Sequence, residues 1–115
     1  AGRGLNMNER TTAFKNKVIK KFGEEPAVAT SAQLGYDTIM FIKAAVEGAG
    51  STDRVAVRDA LENIDNVQGA DILYKKPFSK KDHEAITVND LFLVHWVNGK
   101  IEKYPGGIPE ELEIR

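Results

Sequence analysis

The chain contains no cysteine, two histidines and one tryptophan. Without cysteine there is no disulfide framework and no thiolate metal site. That absence suits an exported protein and a cytosolic one equally. Excess charge of one sign is also missing: 16 basic residues face 17 acidic ones for a net charge of −1. No global field therefore steers the chain toward nucleic acid or an anionic membrane surface. The N-terminal AGRGLNMNER lacks the basic segment and apolar run of a secretory signal. The longest apolar stretch is interrupted by charge, short of the roughly 20 largely apolar residues of a membrane span.

Chemistry-bearing arrangements are equally scarce. His83 and His95 have neither close ligand spacing nor cysteine neighbours, so no zinc site is expected. Ser31, Ser51 and Ser79 stand where caps and loops need hydroxyls, and none has the Gly-x-Ser-x-Gly setting of a nucleophile elbow. The acidic pairs Glu24–Glu25 and Glu110–Glu111 read as exposed surface. Gly2-x-Gly4 is too little for a phosphate loop. Neither an enzyme nor a cofactor is expected.

What remains is a pattern of elements in one modest domain of 115 residues with a 42% hydrophobic fraction. Residues 1–10 read as a flexible lead-in. A first helix is expected from Thr11 or Thr12 to Phe22, with Phe14, Val18, Ile19 and Phe22 on one face and lysines on the other. Gly23 stops it and Pro26 prevents its resumption.

Ser31 to Gly50 is the helix the chain is built around. Its apolar residues leave only a narrow polar edge of Gln33, Asp37, Thr38, Lys43 and Glu47, so burial on several sides is expected, Ile39 included. Thr30 or Ser31 is the expected N-cap, and Gly48 or Gly50 the end. Tyr36 reads as core. A third helix follows Ser51-Thr52-Asp53, a hydroxyl cap with a carboxylate in the first turn, and buries Val57, Ala60, Leu61 and Ile64.

At Val67 the period changes. Ile72-Leu73-Tyr74 is a short extended run, and Lys75 to Lys81 is a basic loop around Pro77 and Phe78. One aromatic in a neutral chain does not make a nucleic-acid interface. Residues 86–97 are strand formers, and Asn98-Gly99 joins them to Lys100–Tyr104 as a hairpin with a type I′ turn. Pro105 to Pro109 break the strand, and Glu110 to Arg115 form a charged tail. The fold class is α/β, the chain itself reading as α+β: three helices followed by an antiparallel β-hairpin.

The order of these pieces resembles a known family. Phe22-Gly23-Glu24-Glu25-Pro26, then Gly35-Tyr36-Asp37, then Ala49-Gly50-Ser51-Thr52-Asp53, then Val57-Arg58-Asp59-Ala60-Leu61 are similar to segments of the solute-binding proteins of ABC importers. The branched-chain amino acid (leucine/isoleucine/valine) type carries such pieces in this order, in its C-terminal third. Gly69, the loop Pro77-Phe78-Ser79 to Asp82-His83, and Trp96-Val97-Asn98-Gly99-Lys100 extend the likeness. Thr38 replaces a frequent alanine, and Asp71 and Tyr74 stand where a second glycine and an aromatic-aspartate pair are usual.

The resemblance implies a piece of a type I two-lobed periplasmic binding protein, located in the periplasm or outside a bacterial cell. Residues 11–68 would cover the first lobe, 69–85 would form a hinge crossing, and 86–115 would add a hairpin and tail to the second lobe. The implied partners are a small solute, a branched-chain or other aliphatic amino acid, and the membrane permease of an ABC importer. Asp82 and His83, near the crossing, are the polar ligand candidates. Because one chain this size leaves its central helix under-covered, a homodimer is expected for it. Two other readings share these residues: a self-standing α+β oligomerisation or interaction domain, and a ligand-sensing receptor domain of the same fold.

Overall fold

The structure is a computed structural model that describes residues 8–107. The first helix, α1, runs Glu9–Phe22 and begins two residues earlier than its apolar pattern announces. The reason is Asn8. Its side-chain oxygen accepts the amides of Arg10 and Thr11, each at 2.9 Å, while Thr11 Oγ1 accepts the Asn8 amide at 2.9 Å, closing a capping box. Thr11 is buried by this arrangement. Gly23 ends α1 in the left-handed conformation (φ 84°), its amide donating to the Ile19 carbonyl at 2.8 Å. Phe14, Val18 and Ile19 are half-buried, but Phe22, expected on the same face, is exposed.

The second helix, α2, spans Ala29–Ala49. Its N-cap is Val28, with no side-chain cap, so Thr30 and Ser31 lie inside the helix rather than capping it. Gly50 ends it at φ 59°. The polar edge expected of this helix is only partly a surface. Gln33 and Asp37 are buried, on the same side as Ala45. The opposite side carries Ile39, 62% exposed, and Leu34 and Ile42 are exposed as well. Tyr36 is not core either; it lies exposed with its ring edge-on to Phe14, centroids 5.3 Å apart.

The third helix, α3, is short, Arg54–Leu61. The cap is the carboxylate rather than a hydroxyl: Asp53 Oδ1 accepts the Val55 and Ala56 amides at 3.1 and 3.0 Å. Ser51 Oγ serves the preceding turn, accepting the Asp53 amide at 3.0 Å. Val57, Ala60 and Leu61 face α2 and lead to buried Ile64.

Two antiparallel strand pairs complete the described residues. β1 (Asn66–Gln68) pairs with β2 (Leu73–Lys75) in the register Val67↔Tyr74. This small hairpin was not apparent in the sequence, where only its second strand showed. A 3₁₀ turn, Val88–Asp90, occupies residues read as strand formers. The strand proper is β3 (Val94–Val97), paired with β4 (Lys100–Lys103). Asn98 (φ 50°) and Gly99 (φ 77°) both take positive φ, the signature of a type I′ turn, and Val97 faces Lys100 as expected. The residues of the expected lead-in before Asn8 and the charged tail Glu110–Arg115 lie outside the described residues.

The core is small: Ala45, Ile64, Val67 and Tyr74, flanked by Met40, Phe41 and Ile86. It sits where α2, α3 and the β1–β2 hairpin meet. Three helices followed by two antiparallel strand pairs give a mixed α+β architecture.

Candidate functional site

The tightest construction in the molecule joins the middle of α2 to the turn between β1 and β2. Asp37, 2% exposed, directs both carboxylate oxygens into that turn. Oδ1 accepts the Ala70 amide at 2.6 Å and Oδ2 accepts the Tyr74 hydroxyl at 2.7 Å. A buried carboxylate is tolerated where such donors replace its lost hydration. Gly69 makes the approach possible, because a Cβ there would lie 2.5 Å from Asp37 Oδ1. The turn is braced from the other side by Gln68, whose Nε2 donates to the Gly69 and Ile72 carbonyls at 2.9 and 3.2 Å. The start of α1 is tied to the same turn through Asn8 Nδ2, which donates to Asp71 Oδ1 at 2.6 Å.

Tyr74 continues the construction into an aromatic stack. Its ring packs edge-on against Phe41 at 4.8 Å, and Phe41 packs against Phe78 at 5.0 Å. Phe78, seen in sequence as the aromatic of a basic loop, is thereby a packing residue. Lys76 takes φ 45° to turn the chain there, and Pro77 behind it is buried.

Over this stack lies an open groove of about 730 Å³. Its walls are mostly apolar: Leu34, Phe41 and Ile42 of α2, Leu61 of α3, and Phe78, Ala85 and Ile86 from the following segment. A few polar groups line it: Arg58, Glu62, His83 and Glu84. A large apolar concavity with few convergent polar groups is the usual form of a binding surface. His83 Nε2 lies 3.5 Å from Glu62 Oε1, bringing the 82–86 segment against α3. The Arg58 guanidinium donates to Asp59 Oδ1 at 2.6 Å, and that hydrogen bond and charge raise its pKa above the ordinary value.

The two sequence candidates therefore separate. His83 lines the groove, exposed on its rim. Asp82 is exposed and occupied by its own loop: Oδ1 accepts the Glu84 amide at 2.9 Å, and its carbonyl accepts the Ser79 amide at 2.7 Å. Glu62 and Arg58 were not singled out in the sequence. They look like the outward charges of an ordinary helix, and only the fold of 82–86 onto α3 brings them to a groove. Among the described residues no cluster of three or more metal-ligating side chains occurs, and no helix is long and apolar enough to cross a membrane.

A family model described as "Periplasmic binding protein" matches residues 4–100, most of the chain. The chain belongs to the periplasmic binding protein family. No curated protein and no solved structure matches it. Membership in a periplasmic binding protein family gives solute binding as the general role, in a family of binders rather than enzymes, and a periplasmic setting by resemblance. The Asp37–Gly69 junction fixes the central helix to the chain segment that leads toward the groove.

Proposed function

We propose that this periplasmic binding protein chain is the C-terminal third of a solute receptor of the branched-chain amino acid type, delivering its solute to the permease of an ABC importer. The observation that carries the reading is the family match over residues 4–100, and the sequence resemblance of the Gly35-Tyr36-Asp37 and Gly69 segments to the branched-chain amino acid type supports it. In this reading residues 11–68 cover the first lobe, 69–85 cross between lobes, and 86–115 belong to the second. His83 and Asp82 are the polar residues of this chain offered to the solute, with His83 the better placed.

The solute itself is an aliphatic amino acid held between two lobes, and most of its contacts come from segments outside this sequence. A small-molecule site buries most of its ligand in a formed cleft, and lobe closure supplies contacts that a single wall lacks. Loss of three hydrogen bonds of about 1.5 kcal/mol each weakens binding by roughly a thousandfold. On its own the chain covers its exposed apolar faces by forming a homodimer.

Calorimetry of this chain and of a longer parent protein, against leucine, isoleucine and valine with amides and aromatic acids as controls, tests the reading. The parent is expected to bind an aliphatic amino acid, and the chain alone feebly or not at all. Micromolar binding by the chain would place the site within it, and a parent indifferent to every amino acid would remove the assignment of the solute.

A further inference from the structure

A small cavity of about 160 Å³ adjoins the Asp37–Gly69 junction and shares no lining residue with the groove. Arg10, Ala13, Phe14 and Lys17 of α1 form one wall, Tyr36 of α2 another, and the 68–70 turn the third. The α1 residues follow the spacing i, i+3, i+4, i+7 of a single helix stripe. Arg10 and Lys17 are two turns apart, about 10.5 Å along the axis. Ala13 between them is too small to fill the space, and the Phe14 and Tyr36 rings, edge-on at 5.3 Å, close one side.

This lining carries two cations and no acid, whereas the groove and the two cavities beside Pro26 all carry glutamates. Lys15 of the same helix pairs with Glu25 at 2.7 Å. Among the described residues no hydrogen bond or ion pair engages the side-chain nitrogens of Arg10 or Lys17. The nearby carboxylates are committed elsewhere: Asp37 accepts from Ala70 and Tyr74, and Asp71 from Asn8. The turn's donors are committed too, the Ala70 amide to Asp37, the Gly69 amide to the Ile72 carbonyl and Gln68 Nε2 to two carbonyls. The cavity is left with Arg10, Lys17 and the Tyr36 hydroxyl, which also has no acceptor among the described residues. Guanidinium and ammonium groups only donate, so what completes such a set is a negatively charged acceptor.

We propose that this cavity binds a small, doubly charged oxyanion of the phosphate or sulfate kind, held between the Arg10 guanidinium and the Lys17 ammonium with the Tyr36 hydroxyl donating as a third group. A guanidinium fork meets two oxygens of such an ion at once, and a lysine adds a point charge. The volume is below the roughly 300 Å³ at which sites for drug-sized ligands begin, which limits the occupant to a group of a few atoms. None of Leu34, Ile39 and Ile42, the exposed apolar residues of α2, lines it, so the site does not compete for the surface that the rest of a receptor would cover. The inference is independent of the solute proposed above. A bound oxyanion ties α1 to the turn that Asp37 fixes to α2, and a ligand of the folded chain stabilises it by mass action.

The test is calorimetry of the 115-residue chain with inorganic phosphate, sulfate and acetate, all at one ionic strength set with sodium chloride. Saturable one-to-one binding of phosphate and sulfate is expected, with acetate clearly weaker. Arg10→Gln and Lys17→Gln should each weaken it about tenfold or more, the worth of one hydrogen bond to a charged group. Lys20→Gln removes an exposed lysine of the same helix outside the lining and should leave binding unchanged. Tyr36→Phe keeps the ring and removes only the hydroxyl, and should weaken binding about fivefold. Screening of a basic helix does not sense a neutral hydroxyl, so this variant separates a site from an ion atmosphere. All four positions are exposed, so far-UV circular dichroism should be unchanged. No saturable binding at millimolar phosphate or sulfate overturns the proposal, as does a loss in Lys20→Gln equal to that in Lys17→Gln. Acetate binding as tightly as phosphate overturns the match of two cations to a doubly charged ion.

Discussion

The Asp37 carboxylate and the Gly69 backbone occupy one another's space: a Cβ on Gly69 would lie 2.5 Å from Oδ1 and 2.8 Å from Oδ2. The helix and the turn are therefore fitted to each other at one point, and substitutions at the two positions must be coupled. Asp37→Ala strands the Ala70 amide and Tyr74 hydroxyl, both bonded to the carboxylate and both in buried residues. Leaving two buried donors without their acceptor costs about 3 kcal/mol. Gly69→Ala alone costs about 1–3 kcal/mol, the range for overpacking. With the carboxylate already gone, the added methyl has room, and Gly69→Ala should then cost less than about 0.5 kcal/mol. Urea unfolding of the four proteins, followed at a helix wavelength, measures the coupling. Additive losses would show that the turn and helix are not in this contact.

The central helix gives the second prediction, and here the structure reverses the pattern-based expectation. Ile39 was expected in the core, yet it is 62% exposed, while Ile64, just beyond α3, is buried. Ile64→Ala should cost this chain about 2–5 kcal/mol as a buried aliphatic cut to alanine. Ile39→Ala and Lys43→Ala should each change stability by less than about 0.5 kcal/mol. Thermal or urea midpoints of the three variants decide the matter. A large loss at Ile39 would show that something covers that face in solution.

How much the sequence disclosed follows from which signals are local. Helix ends at Gly23 and Gly50, the half-buried apolar stripe of α3 and the Asn98-Gly99 turn were legible because each depends on residues a few positions apart. The burial of Asp37 was not, since an acid in an amphipathic helix is placed outside by default. The clue was its spacing: Gln33, Asp37, Phe41 and Ala45 lie at intervals of four along one helix side. The short β1 strand was hidden because three residues, Asn66-Val67-Gln68, are too few for an alternation to stand out, and only its pairing with Leu73-Tyr74-Lys75 defines it. His83 was found as a candidate by its place near the crossing. Glu62 and Arg58 became visible only when the chain between 82 and 86 was folded onto α3.

The hairpin turn yields a prediction whose readout the fold determines. Gly99 sits at φ 77°, where a β-branched residue is strained by about 1–3 kcal/mol. Gly99→Val should therefore open β3–β4. The hairpin shares no hydrogen bond or ring contact with the helices among the described residues, so the helical unfolding midpoint should stay within about 0.5 kcal/mol of the parent chain. What should change is local: amide exchange across Val94–Lys103 accelerates. Unchanged exchange protection in this variant would remove the turn assignment.

Gln33 offers the opposite kind of test, a substitution expected to do no harm. It is 6% exposed on the inner side of α2, and its Oε1 has no hydrogen-bond partner among the described residues. A buried acceptor without a donor has lost its hydration and gained nothing in exchange, a cost of about 1–3 kcal/mol. It lines a small cavity of about 150 Å³ with Thr11, Phe14 and Pro26. Gln33→Met keeps the length of the side chain, removes the amide and places a thioether against Phe14 and Pro26 instead. The variant should match the parent chain or exceed it by about 1 kcal/mol in urea unfolding. Gln33→Glu, which puts a charge in the same place, should lose about 2 kcal/mol or more. If Gln33→Met instead costs more than about 1 kcal/mol, the amide has a donor in solution, and an ordered water in that cavity becomes the first place to look for it.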